Sequence, residues 1–579
     1  MDEPRKAKLT NAIAEWVAIS CRPVLIVEDV GLKKIIRIAS NDYTYVLPSR
    51  QTVIRRIDNL YEKEKSTRAK ELEQATSVCL TGDHWTSLGN HNYLGVTAHY
   101  IDGEWKLRSH ALTVMKTEER HHADACADDF MHVAEQWNGE NKVTALCTDS
   151  ARNMIAAARQ LPLDHVPCTA HSLQRSITVS LQNSVFDNAL AKCRKVVGHF
   201  KHSPANQAEL ERQQKADGYK EGSLIQDVPT RWNSTLEMVQ SVRRNEGPLR
   251  AVLATQTTKV AMPTAAEMDK LQKLESLLEP CRYVTKLLGG EKYVSCSMVL
   301  PAICHILRVM ESSDDDPAYM VKFKSTFTTD MEKRKEKANT SYLKIATALD
   351  PRVKDLKCLH RAERGEVWAS LITLLKEEIQ GSAPQQPVEE PPEPPKKRSS
   401  LLFVASDSES EEEDNPFEIE KCVSRYQAEP TISEEDCPLK WWSQHAGSHS
   451  RLACLAKKYL ATPATSVPCE RLFSLAGHIV AKKRVSLSSQ HVNQLVCLSD
   501  WLGAKEEEYV CQRKMQYIKH AQSKITYCKG FSCIENLVAA ATAKFLTATS
   551  SRLVFESTRR QSHIPSNYAV KVNPPGLRY

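Results

Sequence analysis

The sequence predicts a mixed α/β fold whose core is interrupted by a large helical block and flanked by helical regions at both ends. Three observations predict it. Segments rich in β-branched and aromatic residues follow one another from Thr76, the short apolar run KVTALCT occupies residues 142–148, and residues 186–380 carry apolar side chains at helical spacing almost throughout. The first two patterns are typical of strands, and the third is typical of amphipathic helices.

Composition and charge set the class of protein. The chain has 579 residues, enough at roughly 100–200 residues per domain for several domains or one large interrupted fold. Hydrophobic residues make up 41% and charged residues 26%, which excludes a collagen, a mostly disordered chain and a coiled-coil rod. The formal net charge of +7 permits nucleic-acid binding through local patches.

The N-terminal residues, the lengths of the apolar runs and the cysteine pattern indicate the cellular compartment. Residues 1–10 are polar, and no apolar run of membrane-spanning length occurs, so we expect neither secretion nor membrane insertion. The 18 cysteines are scattered singly without any C-x2-C pair. This usage favours reduced thiols in the cytosol or nucleus over a disulfide framework or an independent zinc finger.

The elements follow in order. Residues 9–74 have helical periodicity, and Ser49 after Pro48 is a favourable helix start. From Thr76 we predict three strands in a meander, a helix over 120–137, a doubly buried strand over 142–148 and a helix over 150–160. This order allows the first and fourth strands to lie side by side and parallel.

The remaining chain is helical apart from one tract. The proline-rich and acidic stretch within 381–430 buries too little apolar area to fold, so it is predicted to be a disordered linker. The predicted organisation is a helical N-terminal region (1–75), the first part of the core (76–185), a helical insertion (186–380), the linker (381–430), a helical C-terminal region (431–505) and a tail without an assigned role (506–579).

Two aspartates end neighbouring predicted strands. Asp83 follows the first strand's apolar run, and Asp149 follows the fourth. If the strands are parallel neighbours, both carboxylates emerge at one sheet edge, where they repel each other unless a divalent cation such as Mg²⁺ or Mn²⁺ neutralises them. The alternative is that each aspartate only caps a turn or helix.

Six motifs in chain order carry a family resemblance. They are TGDHWTS at Asp83, CTDSARNM at Asp149, CTAHSLQ at His171, RWNS at Trp232, ATALDPR at Asp350 and VPCERLFSLAG at Glu470. Together, over about residues 8–502, they resemble the transposase body of the hAT family, in particular the domesticated vertebrate proteins that bear BED-type zinc fingers. No finger-like Cys and His cluster precedes the helical region, so we expect this sequence to lack the BED finger.

The resemblance implies a fold and a catalytic site. It implies an RNase H-like core split by a long helical insertion. It also implies a triad of Asp83, Asp149 and Glu470 that binds Mg²⁺ or Mn²⁺ for DNA strand cleavage and joining, if catalysis is retained.

The resemblance also implies residues that contact DNA. Trp85 and Trp232 correspond to tryptophans that lie near DNA ends and stack on an extruded base. Arg231, Arg471 and Arg484 are candidates for phosphate contacts. Core packing is the alternative for both tryptophans.

Cys168 and His171 match a further motif of the family near the core. We expect a structural role in positioning the active-site loop. A zinc site completed by His199 and His202 is the less favoured alternative.

The last helical region is implied to mediate dimerisation. Its apolar side chains exceed what one helix face needs, so they are predicted to pack on a second subunit or on the catalytic core. Internal packing alone stays open. The candidate dimerisation residues are Leu452, Leu455, Leu472, Phe473, Leu475, Leu495 and Leu498.

Three functions remain open at this point. The favoured one is a domesticated hAT-derived protein of the nucleus that dimerises, binds DNA and regulates transcription or chromatin. Its expected partners are DNA, a homodimer or higher homo-oligomer and nuclear regulatory proteins, with no membrane. The alternatives are an active metal-dependent transposase or nuclease, and a dimeric interaction scaffold without DNA binding.

Overall fold

A computed structural model describes residues 2–42, 44–87, 89–117, 122–182, 184–228, 230–381, 416–480 and 487–505. Most of the predicted linker, the candidate Arg484 and the 506–579 tail lie outside the described residues. In the described ranges, no helix combines the length and the apolar character needed to cross a membrane.

A five-stranded sheet forms the centre of the fold, in the order β3-β2-β1-β4-β5. Its strands are β1 (Val78–Thr86), β2 (Asn92–Ile101), β3 (Leu107–Thr117), β4 (Val143–Thr148) and β5 (Asp164–Pro167). The first three form the predicted antiparallel meander. β1 also pairs in parallel with β4, with Gly82 opposite Thr148. The predicted mixed sheet is therefore confirmed, including the parallel pairing of its first and fourth strands.

Helices precede and interrupt the sheet as the periodicity predicts. The Ser49 side chain accepts a hydrogen bond from the Thr52 backbone N–H and so caps the longest N-terminal helix. These helices are α1 (Glu3–Ile19), α2 (Val30–Ser40), α3 (Arg50–Gln74), α4 (Ala123–Gln136) and α5 (Arg152–Gln160).

Helices make up most of the predicted insertion, residues 186–380, in its described ranges, and one further helix directly precedes it, from residue 169. They are α6 (Thr169–Leu181), α7 (Asp187–Lys201), α8 (Pro204–Ala216), α9 (Trp232–Arg244), α10 (Glu246–Thr255), α11 (Ala265–Leu288), α12 (Val299–Val309), α13 (Ala318–Lys337), α14 (Thr340–Ala348) and α15 (Arg361–Gly381). The C-terminal region adds α16 (Pro416–Ala428), α17 (Pro438–His445), α18 (Ser450–Leu460), α19 (Val467–Ile479) and a helix over 489–505, here called α20.

The two faces of the sheet bury two separate hydrophobic cores. Cys79 and Ala145 face the insertion, whose helices form the larger core with α16–α18. Leu80 and Leu146, one residue further along β1 and β4, face the opposite core, which contains α1, α3, α4, α19 and α20. Successive side chains along a strand point to opposite faces of the sheet. Because helices cover both faces, β4 is apolar on both sides.

Two elements differ from the prediction. β5 is a fifth strand, parallel to β4, that the sequence did not predict, because it spans four residues and ends in Pro167. Residues 416–428, which were assigned to the disordered linker, form α16. This corrects the C-terminal boundary of the linker: Ile419, Val423 and Tyr426 recur at helical spacing and are buried against the insertion.

Candidate active site

Asp83 and Asp149 emerge side by side at the carboxyl edge of the sheet. Asp83 lies near the end of β1, and Asp149 immediately follows β4, one residue beyond the paired Gly82 and Thr148. The Oδ1 atom of Asp83 accepts the His84 backbone N–H at 2.8 Å, and Oδ1 of Asp149 accepts that of Ala151 at 3.1 Å. The second bond is a local turn of the kind that the capping alternative anticipates. In the described structure, neither Oδ2 atom accepts a hydrogen bond from the protein.

Glu470 reaches the same edge from the other end of the chain. It lies in the first turn of α19, which packs on β1 and β2. The preceding residue anchors this helix: the Cys469 Sγ atom lies 3.1 Å from Thr81 Oγ1 and donates to the Gly95 carbonyl oxygen at 3.5 Å. The C-terminal region therefore contributes a helix that packs directly onto the strand that carries Asp83.

The charges of Asp149 and Glu470 act on the Asp83 carboxyl group. Burial is the main cause that raises the pKa of Asp83 to about 7; the negative charges of Asp149 and Glu470 add to the shift, and His171 opposes it. A positive charge supplied nearby would favour the ionised form of such a group. The arrangement brings together all three predicted carboxylates and adds His171 to them.

The donor set suits a hard divalent cation that arrives with its own ligands. Among the described residues, no group of three His, Cys, Asp or Glu side chains is arranged to hold a metal ion. However, Mg²⁺ is commonly bound by one or two carboxylates together with waters and substrate phosphates. Asp83 and Asp149 fit that mode through their unused oxygens, and Glu470 adds negative charge without completing a cage.

Cys168 and His171 connect the sheet to the segment that leads into α19. The Cys168 Sγ atom accepts the Ser466 backbone N–H at 3.3 Å, and the Thr169 backbone N–H donates to the Ala464 oxygen at 3.0 Å. The interaction of His171 with Cys168, followed by the charges of Glu470 and Asp83, raises the pKa of His171. These contacts are those expected of residues that position the loop before Glu470.

The alternative zinc site does not form. His199 Nε2 instead bonds with Gln256 Oε1 at 2.9 Å and with Asn206 Nδ2 at 3.0 Å. Cys168, the first of the four proposed ligands, is fully buried against Ser466. No three-ligand cluster occurs in the described ranges.

Trp85 packs against the helix that carries Glu470. Its ring stacks on Phe473 with centroids 6.0 Å apart and contacts Tyr93 at 5.4 Å. Phe473 in turn presses on Gly95, where a Cβ atom would lie 2.6 Å from the ring. Trp85 is half-buried, so part of its ring is engaged within the chain and its predicted stacking on DNA remains a prediction.

The two neighbours Arg231 and Trp232 have different environments. Arg231 is exposed just before α9. The Trp232 side chain is only 4% exposed within the core of the insertion, and its backbone N–H donates to Gln174 Oε1. This corrects the base-stacking expectation for Trp232, since a base could reach it only after that core had opened.

Arg471 follows Glu470 on α19. Its side chain is 44% exposed, forms an ion pair with Glu291 and donates to the Gly289 oxygen. It therefore presents a guanidinium group at the rim of the carboxylate edge, whereas the predicted phosphate contact itself stays a prediction.

The candidate dimerisation residues pack mostly inside their own chain. Leu452 and Leu455 belong to the insertion core, Leu475 is half-buried, and the rest contact the sheet or its opposite core. This corrects their expected role as a dimer surface: the surplus apolar area packs within the chain, on the insertion and on the sheet, and internal packing is one of the alternatives that the sequence left open. The members that are buried are Leu452, Leu455, Leu472, Phe473, Leu495 and Leu498.

Sequence reasoning missed a polar network beneath the site. Thr81 and Thr97 share a hydrogen bond across β1 and β2, and Thr97 Oγ1 lies 2.8 Å from His99 Nε2. Burial lowers the pKa of His99 to about 3, so the network is neutral. The signal was present in the sequence, since threonine and histidine alternate within the otherwise apolar strand β2.

Three family models match three parts of the chain. The hAT family C-terminal dimerisation region matches residues 423–502. The ZBED1 RNase-like domain matches residues 81–169, and the ZBED1 RNase-like helical domain matches residues 166–277. The matches therefore cover the strands that carry both aspartates, much of the insertion and the helix that carries Glu470.

Several curated proteins are similar over most of the chain. A putative AC transposase of Zea mays is 24% identical over 80% of this chain and 61% of its own length. Zinc finger BED domain-containing protein 4 of Homo sapiens is 22% identical over 86% of this chain and 43% of its own. A putative transcriptional regulator, tpeD, of Talaromyces stipitatus is 22% identical over 84% of this chain and 60% of its own length. The chain thus spans less than two thirds of the length of these relatives.

Proposed function

Because the chain is a hAT transposase-related protein that carries the family's dimerisation region, we propose that it is a homodimeric nuclear protein that binds DNA and regulates transcription or chromatin. One observation carries the proposal. The matched dimerisation region contributes α19 and α20 to the catalytic core instead of forming a separate module. Any pairing of two such regions would therefore bring two cores, with their exposed arginines, onto one DNA molecule.

Two further observations support this function. Arg471 is exposed beside the carboxylate edge, and Arg231 is exposed at the start of α9. Guanidinium groups bind phosphates in two-point contacts. One of the similar proteins is named as a putative transcriptional regulator, which favours a regulatory role over a scaffold without DNA binding.

The test combines sedimentation with DNA binding. We expect the purified chain to sediment as a dimer and to bind a generic labelled duplex with an affinity that falls steeply as salt rises. Arg471→Ala should weaken binding and reduce the slope of log K against log salt by about one. Arg212→Ala removes a surface arginine that is likewise paired with a glutamate, and it should leave both quantities unchanged. A monomer, or a chain that does not bind the duplex at low salt, would refute the proposal.

A second candidate function is metal-dependent DNA strand cleavage. The specific observation that favours it is the meeting of Asp83, Asp149 and Glu470 at one edge, with the pKa of Asp83 raised by burial and by the other two. When bound, a divalent cation would activate a nucleophile and stabilise the leaving oxygen at a phosphate. The two aspartates would hold it, and Cys168 and Cys469 would keep the Glu470 helix in place.

This candidate has two independent measurements. Mn²⁺ should raise the thermal midpoint of the protein but not that of Asp149→Asn, because only the pair of carboxylates binds the cation. Nicking of a supercoiled duplex in Mn²⁺ should be lost in the same variant. Mn²⁺ binding without nicking would indicate a retained site with lost catalysis, whereas equal midpoints with and without Mn²⁺ would exclude the metal site.

A further inference from the structure

Two cysteines from different parts of the insertion meet at its surface. Cys304 lies on α12, and Cys358 lies in the turns between α14 and α15. The Cys304 Sγ atom lies 3.2 Å from the Cys358 carbonyl oxygen, and hydrogen bonding between the two side chains shifts the pKa of both thiols. Both residues are only partly buried. The pair is therefore close enough to react together and open enough to meet a small reagent.

The charges around the pair separate the two thiols. Hydrogen bonding with Cys358 is the main cause that lowers the pKa of Cys304 to about 6, and burial opposes this shift. The positive charges of Lys335 and Arg308 lower the pKa further, whereas the negative charge of Glu363 raises it. The same interaction raises the pKa of Cys358, as burial also does. One thiol is thus prepared as a thiolate, and its neighbour keeps its proton.

Other cysteines of the described chain lack this combination. Burial raises the pKa of Cys296 and of Cys469, and both are enclosed in the protein. Cys437 and Cys454 are exposed. These two are natural comparators, because they share access to solvent with the pair.

We propose that Cys304 and Cys358 form a peroxide-oxidisable dithiol, in which Cys304 is the attacking sulfur and Cys358 the resolving sulfur. The Cys304 thiolate attacks one oxygen of a hydroperoxide, the O–O bond breaks, and protonation of the leaving oxygen gives water from hydrogen peroxide and a sulfenic acid on Cys304. The Cys358 sulfur then attacks the Cys304 sulfur. Its proton leaves with the departing hydroxide as a second water, and an S–S bond remains.

The electrons and the local charge both balance. Two sulfurs lose two electrons in total, and the peroxide bond accepts both. Once Cys304 has become a neutral sulfenic acid, the charge that held the proton on Cys358 has gone, so the resolving thiol can ionise. The resulting disulfide would join α12 to the segment that follows Asp350. In a reducing compartment such a bond is transient and is removed by thiol exchange.

The first experiment measures thiol reactivity in the full chain. Alkylation by iodoacetamide, followed residue by residue by mass spectrometry, should proceed for Cys304 with a pH midpoint near 6. Cys437 and Cys454 should react at neutral pH at least about tenfold more slowly, since only a few per cent of an ordinary thiol is ionised there. Equal rates for the three residues would overturn the assignment of Cys304 as the attacking thiol.

The second experiment identifies the product. After brief treatment with hydrogen peroxide and blocking of free thiols, a peptide pair that links Cys304 to Cys358 should appear and should vanish with a reductant. Cys358→Ser should instead trap a sulfenic acid on Cys304 that reacts with dimedone, and Cys304→Ser should give neither product. Cys454→Ser should behave as the unchanged protein does. If peroxide gives no linked pair while Cys358→Ser gives no dimedone adduct, the proposal is refuted.

Discussion

Gly95 permits the contact that holds the Glu470 helix against the sheet, so its substitution is the sharpest test of the site's construction. In Gly95→Ala, the new Cβ atom would lie 2.6 Å from Phe473 Cε1 and 2.9 Å from Cζ. Carbon atoms pack at about 3.5–4.0 Å, so the ring must retreat by roughly 1 Å. Phe473 cannot retreat without disturbing its stacking on Trp85, and Glu470 lies one turn earlier on the same helix.

The expected cost follows from this displacement. Overpacking of a tight core costs about 1–3 kcal/mol, and in a domain of 150–250 residues each kcal/mol lowers the thermal midpoint by roughly 2–4 °C. We therefore expect Gly95→Ala to lower the midpoint by several degrees in differential scanning calorimetry. Gly103→Ala is the matched control, because nothing lies within 4 Å of its added Cβ atom.

A second substitution shows whether the ring is the cause. Phe473→Leu removes the atoms that the new methyl group meets, so the destabilisations of Gly95→Ala and Phe473→Leu should fail to add, with a coupling of about 1 kcal/mol or more. A midpoint for Gly95→Ala that equals that of Gly103→Ala, or strictly additive effects in the double variant, would refute the reasoning.

Three further predictions concern the stability of the fold. Asp350→Ala should cost about 3–5 kcal/mol in urea unfolding, because Asp350 is fully buried and bonds to Arg352 and Ser297; a loss as small as that of an exposed surface pair would contradict it. Trp442→Phe should cost about 1–3 kcal/mol by the same measurement, since the fully buried indole N–H donates to a backbone oxygen at 2.9 Å that would lose its partner. Partial burial raises the pKa of Glu71, but the nearby His110 and the hydrogen-bonded Arg68 outweigh it and lower the pKa to about 2. The stabilisation by Glu71 is present above its unfolded pKa near 4.5 and should fade as pH falls from there towards 2; unfolding at a series of pH values should show a smaller acid loss for Glu71→Gln.

The sequence pattern alone predicts the positions of two of the three carboxylates. Asp83 and Asp149 each follow an apolar run of strand length, and parallel pairing of those runs is enough to place both at one edge. Glu470 comes 321 positions after Asp149 (470 − 149), so no local pattern could connect them. Only the family resemblance placed it there, because its position depends on how the whole insertion folds.

The features that were missed depend on tertiary contacts. β5 is too short to be recognised alone and exists because four of its residues pair with β4. α16 was hidden by the acidic and proline-rich composition beside it, although Ile419, Val423 and Tyr426 keep helical spacing. The C-terminal leucines show the same limit, since apolar periodicity requires a buried face but does not specify which chain covers it.

The discontinuous construction of the core has a consequence for how the protein is made. The sheet face that bears Leu80 and Leu94 is covered in part by α19 and α20, which leave the ribosome only after more than three hundred intervening residues have been synthesised. Until then an apolar surface is open to chaperones and to other chains. The same construction means that a single backbone cut between residues 381 and 416 would leave two fragments that share both buried cores. They should copurify without a covalent bond and separate only when those cores unfold.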